Sequence, residues 1–209
     1  MTATERGRDH VPSPRVRRKQ EAARVALIAA ARALIAEKGV AGLRVRDVTA
    51  AANVGFGSFY GHFPDTAALV DAVFTEVVSE LADRVFGAIG DEDDPVVVVS
   101  IAHRMFVRLA TEDPQLARIL VNLHHADELF GAAVAGYLRP ILVHGVESGQ
   151  FVADDFDTAV TFVAGATLAV VRSALAGTAV NHVEDASARL LLRTLGVVNT
   201  NRSRPTHRP

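Results

Sequence analysis

The chain has 209 residues, of which 49% are apolar, and a formal net charge of −2 at pH 7; that is ample material for a packed core and excludes wholesale disorder. It contains no cysteine, which excludes disulfides, thiolate metal sites and cysteine nucleophiles together. The near-neutral total conceals a split: residues 1–63 carry a net +6, residues 64–201 a net −11, and three arginines lie in the last eight, a distribution suited to a protein of which one end meets a polyanion.

Residues 1–16 mix Pro, Gly, Ser and charge without periodicity and read as a disordered basic arm. Val11-Pro12-Ser13-Pro14 leads into Arg15, Arg17, Arg18 and Lys19 with no apolar run of signal-peptide length, so the expectation is a cytoplasmic chain. The longest apolar stretch, 162–171, stops at Arg172 and is about half of a membrane span; no membrane partner is expected. From Arg17 the pattern turns helical. Val25, Ile28, Ala31, Leu34 and Ile35 fall on one stripe, and Gly39 marks the end of a helix predicted over 18–38.

Two short helices follow in the prediction. The first covers 45–52 with Val45, Val48 and Ala52 on one face, and the second covers 56–62. Asn53-Val54-Gly55 between them is a turn, since Asn and Gly tolerate left-handed backbone. Pro64 suits the first turn of the next helix and Asp65 its positive end. That helix carries Leu69, Val73, Phe74, Val77, Val78 and Leu81 to about residue 88. After the acidic break 90–95, helices are predicted near 96–111, 114–122, 127–148 (kinked at Pro140), 155–176 and 183–196. No strand is predicted, and the basic tail 199–209 reads as disordered. The fold class is therefore all-α. It divides into the arm 1–16, a first helical unit 17–64, a larger helical bundle 65–198, and the tail 199–209.

Two short helices joined by a tight turn, behind a supporting helix and a basic arm, form a helix-turn-helix. Over residues 24–74 the chain resembles the TetR family, named for the tetracycline repressor. The resemblance runs through 33–39 (ALIAEKG), 45–49 (VRDVT) and 52–63 (ANVGFGSFYGHF), then Pro64-Asp65, Leu69 and Phe74. Val45, Val48, Val54, Phe59 and Phe63 form the expected small core of this unit. Gly57 allows close approach of a phosphate, and Arg44 and Arg46 are placed to pair with phosphate or a guanine edge. The resemblance implies that Phe56, Gly57 and Ser58 lie at the groove while Tyr60 and His62 donate to phosphates. Four positions depart from the family pattern. Leu43-Arg44 replaces a Thr or Ser cap, Gly55 a common Ser, Gly61 a larger and often basic residue, and Thr66 a phosphate-binding Lys.

The segment 155–176 is apolar or small all round, as is much of 183–196, and a helix apolar on every side is buried on every side. One stripe of the first holds Val160, Val163, Ala164, Thr167, Leu168, Val171 and Leu175; another holds Phe162, Ala166, Val170 and Ala174. The resemblance implies that these two helices pair with their symmetry mates in a homodimer that reads a palindromic operator in double-stranded DNA. Val160, Val163, Ala164, Thr167, Leu168, Val171, Leu190 and Leu191 are the interface candidates. It also implies a pocket for a small-molecule effector within 96–176, with Phe106, Leu109, Leu120, Leu123, Phe130, Tyr137, Phe162 and Thr167 as candidate lining. His103, His124, His125 and His144, with Asp127 and Glu128, raise the question of zinc, but adjacent histidines diverge on a helix; no metal and no cofactor are expected. No enzyme motif is present, since Gly55-Phe56-Gly57-Ser58 lies between helices and not after a strand. The function read here is a ligand-responsive dimeric repressor of nearby transporter or enzyme genes. The alternative is a small-molecule-binding adaptor of the same fold with weakened DNA binding.

Overall fold

The computed structural model describes residues 13–123, 127–178 and 182–197, and the side chains of these except 127–133. Every regular element among them is helical. Helix α1 (Pro14–Lys38) begins four residues earlier than periodicity predicts, because Ser13 caps it from outside and Pro14 occupies its first turn. It ends at Gly39, whose φ of 71° is a left-handed conformation that glycine adopts without strain. A single 3-10 turn, Val40–Gly42, leads to α2 (Val45–Ala51) and α3 (Phe56–Phe59). Helices α4 (Thr66–Ile89), α5 (Pro95–Glu112), α6 (Pro114–Asn122), α7 (Asp127–Glu147), α8 (Phe156–Leu175) and α9 (Val183–Thr194) complete the order.

Aspartates start most of the later helices. Asp65, Asp94, Asp113 and Asp155 each accept a backbone N–H of the first turn, at 2.8, 2.9, 3.1 and 2.9 Å respectively. Pro95 and Pro114 follow two of them at a position where the missing N–H has no consequence. Pro64 stands outside α4, and Asp65 caps that helix instead of lying inside it. Helix α7 is continuous through Pro140.

Two apolar clusters hold the chain together. The first joins α1, α2, α3, α4 and α6, with Leu109 of α5 and Val171 of α8 reaching into it, and Leu27, Ile28, Val48, Phe59, Leu69 and Ile119 are among its most buried members. The second joins α5, α7, α8 and α9 around Leu142, Phe151, Val160 and Leu192. Val25 lies outside both and is 53% exposed; the buried stripe of α1 runs instead through Leu27, Ile28, Ala31 and Ile35. Helix α6 is bound to α1 by polar contact as well. Asn122 Nδ2 donates to the carbonyls of Ile35 and Ala36 at 3.1 and 3.4 Å, in the last turn of α1. A relay of ion pairs runs alongside, from Arg32 to Glu80 (2.6 Å), to Arg84 (2.8 Å) and to Asp113 (2.7 Å). Burial raises the Glu80 carboxyl, but the bonds from Arg32 and Arg84 outweigh it and hold the group below its ordinary value.

Helix α8 is long and apolar enough to cross a membrane by length and composition alone. Here Val160, Val163, Thr167 and Val171 are buried within the chain, while Thr158, Phe162, Gly165, Ala169 and Arg172 face outward.

Candidate DNA-binding surface and ligand cavity

The helix-turn-helix is built from its buried residues outward. Val48, Phe59 and Phe63 are buried, Val45 and Val54 pack against them, and Arg24 stacks over the Phe63 ring at 5.5 Å. Asn53 takes the left-handed conformation at the turn (φ 53°), whereas Gly55 is extended. This frame leaves Arg44, Arg46, Phe56, Gly57, Ser58 and Tyr60 exposed on the outer side, with His62 half-buried. Phe56 and Tyr60 are 54% and 52% exposed, and their rings meet edge-on at 5.7 Å. Tyr60 also meets the buried Phe59 ring edge-on at 5.2 Å, so the pair rests on the core on one side and faces solvent on the other. A Cβ added at Gly57 would meet nothing within 4 Å, so no neighbour in the chain requires a glycine there. The recognition helix is shorter than predicted: it ends at Phe59, and Tyr60 and His62 sit in the following turn.

The missing caps have visible consequences. Arg44 is the N-cap of α2 and makes no side-chain cap bond; its guanidinium folds back to donate to the carbonyls of Ala41 (2.8 Å) and Leu43 (3.1 Å). Gly55 caps α3, again with no side-chain bond. Arg46 and Phe56 border a shallow hollow between α2 and α3 with Thr49, Ala50 and Asn53.

The second site is an apolar cavity of about 280 Å³ enclosed by α4, α5, α7 and α8. Of the candidate lining residues, Phe106, Tyr137 and Thr167 are on its wall. Leu109 on α5, Leu120 on α6 and Leu123 at its end are not; all three belong to the cluster that includes α1, and the buried side of α6 is occupied in that contact. Phe162 is 51% exposed and faces away from the cavity, and the Phe130 side chain lies outside the described residues. Sequence reasoning missed the contribution of α4. Val78, Leu81, Val85, Phe86 and Ile89 form one wall, and the signal available was that the apolar stripe of α4 extends well past the turns needed to cover α1–α3. Phe86 and Tyr137, both about half exposed, meet edge-on at 5.4 Å where the cavity approaches solvent.

His103 is the buried polar ring on the cavity wall. It is 3% exposed, with Nδ1 at 2.9 Å from Thr167 Oγ1 on α8 and Nε2 at 2.7 Å from Ser187 Oγ on α9. Burial, aided by the neighbouring Arg104 cation, pushes its pKa down from 6.5 to about 4, so the ring is neutral at pH 7. Arg104, itself buried, donates to Asp185 at 2.7 Å and to Ser100. Among the described residues no three His, Asp or Glu side chains cluster as a metal site; His124, His125, Asp127 and Glu128 fall outside the described side chains.

The interface candidates divide. Val160, Val163, Thr167, Val171 and Leu191 are buried against their own chain, and Ala164 and Leu168 line the cavity. Only Leu190 of that set lies on an outer face, at 64% exposure. The free surface of α8 and α9 is the opposite side, where Phe162, Gly165 and Ala169 lie on one helix and Ala186 and Leu190 on the other.

Comparison with solved structures gives matches over nearly the whole fold. RolR in complex with resorcinol is 28% identical, with 92% of this chain and 97% of that chain covered and a TM-score of 0.68. RolR without ligand is 30% identical over 88% and 96%, at 0.66. A TetR family transcription regulator from Marinobacter aquaeolei VT8, 19% identical over 86% and 98%, shares the fold at 0.71. No curated protein matches the sequence. Residues 27–73 match the family model for bacterial regulatory proteins of the tetR family, and residues 94–207, more than half of the chain, match that for the tetracyclin repressor-like C-terminal domain. The chain belongs to the TetR family of transcriptional regulators.

Proposed function

We propose that the protein is a ligand-responsive dimeric repressor that releases its operator when a small molecule occupies the cavity between α4, α5, α7 and α8. The observation that carries this reading is the double role of α4. Its first half, through Leu69, Val73 and Val77, shares a core with the recognition unit, and its second half, through Leu81, Val85 and Phe86, forms the cavity wall. A ligand that prefers one position of α4 therefore biases the position of the DNA-reading surface, to the extent of its differential affinity for the two states. The neighbour RolR holds resorcinol, which supports a small organic effector here as well. Phe56, Gly57, Ser58 and Tyr60 would meet the groove and its flanking phosphates, with Arg44, Arg46 and His62 beside them. Two copies related by a two-fold axis would join through the outer faces of α8 and α9 and present two such surfaces to a palindrome, in the cytoplasm, where the DNA lies.

A second reading is an adaptor with weakened DNA binding, favoured by the absence of side-chain caps on both α2 and α3. A gel shift on the DNA upstream of the protein's own gene separates the two. The repressor reading expects a salt-sensitive complex in the wild type that Tyr60→Ala weakens by roughly 10- to 100-fold, the value of a hydrogen bond to a charged group. Absence of any shift or footprint at low salt would leave only the adaptor.

A further inference from the structure

The cavity wall is apolar except for His103, Thr167 and the half-exposed Tyr137 among the described residues, so its specificity turns on how the buried polar pair is already bonded. Thr167 Oγ1 has one proton and two lone pairs. It lies 2.8 Å from the carbonyl of Val163, an acceptor only, and 2.9 Å from His103 Nδ1. If Nδ1 carries a proton, it donates to Thr167, whose own proton goes to Val163; one lone pair is left over. If Nδ1 is bare, the Thr167 proton goes either to Nδ1 or to Val163. In each arrangement the hydroxyl proton has an acceptor inside the protein and at least one lone pair has no donor. The other ring nitrogen is 2.7 Å from Ser187, which in turn contacts the Val183 carbonyl at 2.6 Å, so the ring is held from both ends.

We propose that Thr167 Oγ1, oriented by His103, is a hydrogen-bond acceptor that selects effectors for an O–H or N–H donor, and that the effector is an uncharged, largely apolar molecule, of which alcohols and phenols are the simplest class. This rests on the reading of the cavity as the effector site. A carboxylate brings only acceptors to that point, and an ammonium loses its hydration against an aliphatic and aromatic wall. A cavity of about 280 Å³ lies at the small end of the range for ligand pockets, so one hydrogen bond is a large share of the discrimination available. An apolar analogue lacking the donor leaves the buried lone pair unmet, and that asymmetry is the source of selectivity.

The test is calorimetric titration of the full chain with two matched pairs, 4-ethylphenol against 4-ethylanisole and 1-hexanol against its methyl ether. At least one hydroxyl compound should bind about fivefold or more tighter than its ether. The pair that shows this tells a phenolic from an aliphatic effector. Thr167→Val should bring that ratio close to one without weakening the ether, and Thr167→Ser should keep it. Thermal melts confirm that both variants fold; should Thr167→Val not fold, the wild-type ratio decides alone. A wild-type ratio near one, or a ratio that survives Thr167→Val, overturns the inference while leaving the effector site standing. If none of the four compounds binds, the inference fails and the reading of the cavity fails with it.

Discussion

At the residue scale, His103 concentrates the cost and the use of a buried polar group. An imidazole removed from water beside a guanidinium is held neutral, and its pKa falls from 6.5 to about 4. The unfolded chain then binds a proton between those two values and the folded chain does not, so stability rises with pH through that window. Acidification from pH 6.5 to 4 should remove on the order of 3 kcal/mol through this group. Below pH 4 both states are protonated and the loss stops growing. Urea unfolding of the wild type and His103→Gln across this range measures the difference. The variant should start less stable at pH 7 and fall less steeply on acidification; parallel slopes would mean that the ring already carries a proton in the fold.

At the scale of elements, close approach decides more than propensity does. Phe151, in the connection from α7 to α8, lies against Gly145, where an added Cβ would come within 2.0 Å of its ring. The same connection is pinned by two backbone bonds, from Gln150 and Phe151 N–H to the Gly145 carbonyl at 2.8 and 2.9 Å. Gly145→Ala adds one methyl to a site with no room, so it should destabilise by about 1–3 kcal/mol despite the better helix propensity of alanine. Denaturant midpoints check this, and an unchanged midpoint would mean that the connection shifts at little cost. Helix α4 shows the same principle in a functional setting. Its ion pairs with Arg32 and its apolar contact with α1 make the DNA-binding unit and the cavity parts of one packed body.

At the scale of the whole molecule, the proposed assembly turns on the outer face of α8 and α9. Phe162 and Leu190 stand 51% and 64% exposed, with the small exposed residues Gly165, Ala169 and Ala186 on the same two helices. If this face pairs two copies, Leu190→Glu places a like charge twice across the axis and should shift the protein from dimer to monomer by sedimentation, with operator affinity falling in parallel. A variant that stays dimeric with unchanged DNA binding would place the interface elsewhere. Changing Val163 or Val171 tests something different, since both are buried within the chain.

Local pattern determined much of this protein by itself. The helical class, the positions of α2 to α9 to within a few residues, and the turn at 53–55 between the two short helices were legible because caps, turns and short amphipathic periods act between near neighbours in the chain. Tertiary structure alone decided which way the apolar helices face. A helix that is apolar all round, as α8 is, carries no period to tell inside from outside, so Val163 and Thr167 turned inward and Phe162 outward only once α5 packed against it. The cavity is of the same kind. Its wall joins Leu81, His103, Tyr137 and Thr167 from four helices, and the pairing of such distant residues depends on how whole helices pack, which no local spacing encodes.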